Sequence, residues 1–174
     1  GEGLVSQAVS LVTTGYLELI QFISGGDGGD TDYTEERYAG NGGDAGMELD
    51  LDASTSAEIA FNGDATGGNG GNAEFGSGGD GGDSRWHLSV AAGRGGHVSG
   101  GAAGGNGGFG FGTGNRGGQG GTATASAFGS SLTGSALLEV NTAAIGGDGG
   151  EGYDFADGGD GADALLLNAV SGVT

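Results

Sequence analysis

The chain contains no cysteine, no proline and no lysine. Without cysteine there is no disulfide, no thiolate metal site and no thiol nucleophile. The same absence leaves the redox compartment open. Without proline, and with glycine blocks that change register modulo three, an unbroken Gly-X-Y triple helix is excluded. Four arginines stand against 23 acidic residues, for a net charge of −19. Nucleic acid is no partner for such a surface, because phosphate binding draws on clustered cations. An anionic membrane surface is disfavoured for the same reason. Long apolar runs are missing too. The most apolar region, Leu4 to Ile23, is interrupted by Ser6, Gln7, Ser10, Thr13, Thr14, Glu18 and Gln21. Membrane insertion is therefore not expected. No basic segment precedes this region, as an intact signal peptide requires.

Glycine is what the chain has in excess, 48 of 174 residues. Much of it falls in Gly-Gly-X triplets whose X is polar. Gly25-Gly26-Asp27-Gly28-Gly29-Asp30, Gly67 to Asn72, Gly78 to Asp83 and Gly146 to Glu151 are double copies. Looser ones lie at Gly42 to Asp44, Gly104 to Gly108, Gly117 to Gly121 and Gly158 to Asp163. A period of three matches the polyproline II helix, with three residues per turn. Two of its three faces would then carry no side chain, so neighbouring backbones could approach and hydrogen-bond. The third face would present Asp or Asn to water. Disorder competes for glycine-rich acidic sequence, but apolar alternating segments between the blocks favour order.

Those segments read as strands. Met47, Leu49, Leu51, Ala53, Thr55, Ala57, Ile59 and Phe61 alternate with polar residues, so one face is buried and one wet. As one strand from Met47 to Phe61 the run would span roughly 50 Å, unless a turn breaks it near Ser54. Trp86, Leu88 and Val90 alternate likewise. Residues 122–132 and 136–145 read as two strands around Thr133-Gly134-Ser135, and 164–170 as a last one. Residues 4–12 fit a strand or a short helix. The spacing between blocks looks too irregular for a solenoid with one repeat length. The fold class expected is all-β, a sandwich or solenoid-like arrangement of strands combined with packed polyglycine or polyproline II helices. Residues 1–24 form an apolar arm and 25–174 a single glycine-rich domain.

Few residues suggest chemistry. Gly158 to Leu166 matches the Gly-Gly-x-Gly-x-Asp-x-apolar-x nonapeptide that binds calcium in tandem copies. Gly25 to Tyr33 and Gly78 to Trp86 match it only through the Asp. Calcium at Asp27, Asp30, Asp80, Asp83, Asp160 and Asp163 is the one metal expectation, and no other cofactor is expected. Solvation of bare glycine ridges explains the same residues. His87 and His97 read as solvated side chains, and Asp50 with Asp52 as a charge run on a wet strand face. No Gly-x-Ser-x-Gly elbow or phosphate loop followed by Lys occurs. An enzyme is not expected.

The Gly-Gly-X blocks, notably Gly67 to Asn72 and Gly104 to Phe109, resemble polyglycine II proteins: springtail antifreeze proteins and the adhesins on tail fibres of T-even phages. The resemblance implies bundled glycine helices. The long strands and apolar arm look similar in layout to donor-strand filament subunits. On that likeness the chain is expected to be a structural subunit of an extracellular or cell-surface filament or matrix, with itself as partner. Val5, Val9, Leu11, Leu17, Leu19, Ile20, Phe22 and Ile23 would carry self-assembly by strand donation. A receptor-binding adhesin is the alternative, and an ice-binding protein a third.

Overall fold

A computed structural model describes residues 3–10, 15–32, 38–55, 58–132 and 137–173. Among them the chain is all strand and rod, without a helix. Strands β1 (Gly3–Ser10), β3 (Ala45–Ala53), β5 (Ser84–Ala92), β8 (Ala123–Ser131) and β11 (Ala164–Val173) form one sheet in that order. Strands β2 (Tyr16–Ser24), β4 (Glu58–Thr66), β6 (Gly96–Ala103) and β9 (Leu138–Ile145) form a second. All pairs in both sheets are parallel. Two short strands, β7 (Gly110–Phe111) and β10 (Gly152–Tyr153), pair at the far end.

The result is a solenoid. Each turn climbs a strand of the first sheet, bends, and returns along a strand of the second. It then continues as a glycine rod, reverses at a tip and comes back as another rod into the next strand. In the first sheet Gly3 pairs with Ala45, Ala45 with Ser84, Ser84 with Ala123 and Ala123 with Ala164. Those offsets are 42, 39, 39 and 41 residues. The expectation of no common repeat length is thus corrected. A turn consists of two strands and two rods, so counting from one glycine block to the next mixes two different intervals.

The alternation starting at Met47 explains how one stretch serves both sheets. Met47, Leu49, Leu51 and Ala53 are buried on β3, and Ile59, Phe61 and Ala65 on β4. The bend falls at Ser54 and Thr55, where the Ser54 N–H donates to Asp52 Oδ1 at 3.0 Å. Such an Asx turn substitutes a side-chain carbonyl for backbone pairing. Hydrogen bonds from Ser54 hold the Asp52 carboxyl below its ordinary range. The chain thus turns back with its apolar residues still facing inward, now from the opposite sheet.

Trp86, Leu88, Val90, Val98, Ala123 and Ala125 complete the core between the sheets. Trp86 is fully buried and needs space on the facing sheet. Gly100 provides it: a Cβ there would lie 2.7 Å from the indole ring. Gly63, two residues along the same strand, leaves room for the ring of Phe61.

The apolar arm is the first turn of this solenoid. β1 pairs with β3 and β2 with β4 of the same chain, so residues 4–10 are strand rather than helix. Leu17, Leu19 and Ile23 pack against the core, while Ile20 and Phe22 face outward, 58% and 62% exposed. Val5 and Val9 lie in register with Met47 and Leu51. Leu11 falls outside the described residues.

Candidate interface along the glycine rods

Rods 25–30, 67–72, 104–109 and 146–151 continue the second sheet. Rods 40–44, 78–83, 117–122 and 158–163 lead into the first. The three N–H groups of a triplet have three kinds of partner. The first glycine donates to the neighbouring rod of its own layer: Gly28 to Asn69 O, Gly70 to Asn106 O and Gly107 to Asp148 O, each at 2.8 Å. The second donates across to the other layer, as Gly68 does to Gly43 O at 2.9 Å and Gly82 to Gly68 O at 2.8 Å. This cross-layer contact leaves no room for a side chain. A Cβ on Gly68 would overlap the carbonyl of Gly26, and one on Gly81 that of Gly105.

The third N–H belongs to X, and a side chain takes it. Asn69 N–H donates to Asp27 Oδ1 at 2.8 Å, Asn106 to Asn69 Oδ1 at 3.0 Å and Asp148 to Asn106 Oδ1 at 2.9 Å. The same pattern joins Asn72 to Asp30 and Phe109 to Asn72. In the other layer it joins Asp80 to Asn41, Gln119 to Asp80, Asp83 to Asp44 and Thr122 to Asp83. In all nine of these bonds the side chain accepts from the next turn, so the X residues form columns with a direction. Asp and Asn are the residues whose carbonyl oxygen sits one methylene from Cα, within reach of the adjacent rod. On the second and third turns every triplet N–H is thereby satisfied, as backbone shielded from water requires.

Here the structure adds what sequence reasoning missed. Asp27, Asp30, Asp80 and Asp83 do more than solvate a ridge, since each accepts a backbone N–H. Asp160 and Asp163 stand in the columns of Asp80 and Asp83 on the fourth turn, separated from them by Gln119 and Thr122. Asp27 and Asp30 lie in the opposite layer. Among the described residues no group of three His, Cys, Asp or Glu side chains is placed to hold a metal ion. Aligning the triplets at offsets near 40 residues would have revealed the columns.

The closest approach to a catalytic set is one row across the outer face of the first sheet. Glu48, His87 and Ser126 are register partners, and His87 Nδ1 lies 2.7 Å from Ser126 Oγ. The row lies open on a sheet surface. β8 is paired on both sides, with β5 and β11, so no free pair of backbone N–H groups stands ready to hold an oxyanion. On the outer face of the second sheet His97 sits 3.6 Å from Glu139. Hydrogen bonding from Asn141, then the nearby His97, lowers the Glu139 carboxyl from its ordinary value.

At the tip, where the rods reverse, aromatics gather. Phe75 and Phe111 have ring centroids 6.0 Å apart, and Phe109 and Tyr153 meet edge to face at 5.7 Å. The fourth-turn tip is a four-residue turn, with the Ala156 N–H donating to Tyr153 O at 3.1 Å. Both of its central residues, Asp154 and Phe155, have left-handed φ, 51° and 68°. The Tyr153 hydroxyl donates to Glu151 Oε2, and this bond to a carboxylate raises the phenol above its ordinary value.

No family model matches the chain, and no curated protein matches it. Among solved structures it is similar to an antifreeze protein of the springtail Granisotoma rainieri, a bundle of nine polyproline II helices whose crystal waters match the ice lattice. The match is 22% identical and covers 81% of this chain and 95% of that one, with a TM-score of 0.28. So poor a superposition leaves the fold and the function to be argued from this chain's own geometry.

Proposed function

We propose that the chain is a structural element that assembles with copies of itself, edge to edge, into an extracellular filament or matrix. The observation that carries this reading is the complementarity of the two described edges. On the fourth turn, Gly149 and Gly161 occupy the positions whose N–H groups donate onward in earlier turns, beside the side chains of Asp148 and Asp160. On the first turn, the carbonyls of Asp27 and Asn41 and the N–H groups of Asp27 and Asp30 have no partner among the described residues. The sheets likewise end in parallel strands with one side unpaired. An open parallel edge is a template for another chain. A second copy set on this edge would repeat the contacts between rods and between strands of the second sheet, each completed backbone hydrogen bond contributing about 0.5–1.5 kcal/mol net. The first sheet has five strands to the second's four, so β1 of the incoming copy and β11 compete for one place and one of them yields.

Strand donation from residues 4–23 is a less direct route, because β1 and β2 already pair in cis. Ice binding finds little footing, since the columns are built from carboxylates and amides, with Thr122 their one threonine. Fibre diffraction tests the proposal. Edge stacking expects fibres with a spacing of about 4.7–4.8 Å along the axis. Monodisperse monomer at high concentration and high salt would overturn it.

A further inference from the structure

Phe155 is 86% exposed and holds a left-handed backbone. A bulky residue there is a genuine outlier, and turns with two left-handed central residues favour Asn-Gly or Asp-Gly. The third-turn tip uses glycines for its left-handed positions, Gly112 and Gly114 at φ 94° and 81°. The fourth turn has a phenylalanine instead, aimed at water with no core to fill. Backbone strain kept at an exposed site points to a role outside folding.

Its surroundings narrow the ligand. Phe75 is 57% exposed and Tyr153 45%. Phe111 links them, contacting the Phe75 ring and sitting in register with Tyr153. No Leu, Ile or Val occurs among the tip residues 73–77, 110–116 and 152–157. Among the described residues of the second-, third- and fourth-turn tips, four carboxylates, Glu74, Glu151, Asp154 and Asp157, accompany these rings, against one cation, Arg116. Exposed aromatic faces under a negative field attract an organic cation whose charge is spread over methyl groups.

We infer that the aromatic tip formed by Phe75, Phe111, Tyr153 and Phe155 binds a quaternary ammonium group. The rings supply their negative faces and the carboxylates supply the long-range field. Tyr153 and Phe155 belong to the fourth turn, whose rods form one stacking edge, so binding is read on the unassembled chain at low salt.

Choline chloride titrated into the full chain, read residue by residue by NMR, is the test. A neutral isostere, 3,3-dimethylbutan-1-ol, and a sugar, methyl glucoside, run beside it at matched ionic strength. Choline is expected to shift tip resonances and to bind at least about threefold more tightly than the isostere. Phe155→Gly is expected to lose binding while melting no lower than the parent, because glycine suits the left-handed position. Asp154→Asn is expected to weaken choline and leave the isostere unchanged. Equal binding of the neutral isostere, tip shifts with methyl glucoside alone, retained affinity in Phe155→Gly, or no tip response at tens of millimolar choline would each overturn the assignment.

Discussion

The column residues show how one side-chain atom sets an outcome. Asp80 accepts the Gln119 N–H through Oδ1, and its own N–H is taken by Asn41. Asparagine retains that oxygen, so Asp80→Asn should leave the melting temperature nearly unchanged. Asp80→Ala removes the acceptor and leaves an N–H to find water at the rim of a rod. It should cost about 1 kcal/mol, in the range for an unmade hydrogen bond. Thermal denaturation followed by the fluorescence of the single tryptophan, Trp86, checks both. Equal melting of the Asn and Ala variants would show that the columns contribute nothing. Gly81→Val should be far worse. Its side chain would occupy the place of the Gly105 carbonyl, and the rods hold no flexible side chain that could yield. Loss of the folded state is expected, by circular dichroism and by exposure of Trp86.

At the scale of the element, the strands were legible and their assembly less so. Strict alternation from Met47 placed the buried residues of β3 and β4, but it left one long strand and two strands with a turn near Ser54 equally open. Trp86, Leu88 and Val90 were marked for the core by the same periodicity, and they are buried there. Alternation says which face is inward but not which sheet a strand joins, so the change of sheet at Ser54 was invisible. The period of three announced the rods in the same way. What it could not announce was the offset between turns, because tips of different length hide it. The arm is harder to read for a physical reason. Apolar residues on both faces suggest a strand enclosed by a partner, yet Ile20 and Phe22 lie on an open outer face. Gly100 offers a test of how closely the sheets fit. Adding one methyl in Gly100→Ala would press on the Trp86 ring and the Gly63 carbonyl. A cost of at least about 1–3 kcal/mol is expected, the range for overpacked cores, because backbone as well as a ring must shift. An unchanged urea midpoint would mean the sheets separate more easily than the contact implies.

For the whole molecule, charge opposes the assembly that the edges invite. Stacking a first turn on a fourth would place Asp27 beside Asp148, Asp30 beside Glu151 and Asp44 beside Asp163. Two unit charges about 4 Å apart repel by about 1 kcal/mol in bulk water and more near a protein surface. Within the chain, neutral Asn69, Asn106, Asn72 and Gln119 separate most of the carboxylates in a column. Such crowding makes stacking conditional on screening, whose range falls to about 8 Å at physiological salt. Sedimentation velocity should therefore show assembly rising with sodium chloride. The triple variant Asp148→Asn, Glu151→Gln, Asp163→Asn should assemble without added salt. Removing residues 1–24 then separates edge stacking from strand donation. Truncation takes away β1 and β2 and exposes β3 and β4 as new edges of the same polarity. Rods 25–30 and 40–44 remain, so Asp27, Asp30 and Asp44 still face an incoming fourth turn. Edge stacking expects the truncated chain to assemble still, at a salt concentration similar to the full chain's, provided its Trp86 emission shows a folded core. Strand donation expects the opposite: no polymer until a peptide of residues 1–24 is added back. A folded, truncated chain that stays monomeric at every salt concentration and is rescued by that peptide would decide for donation.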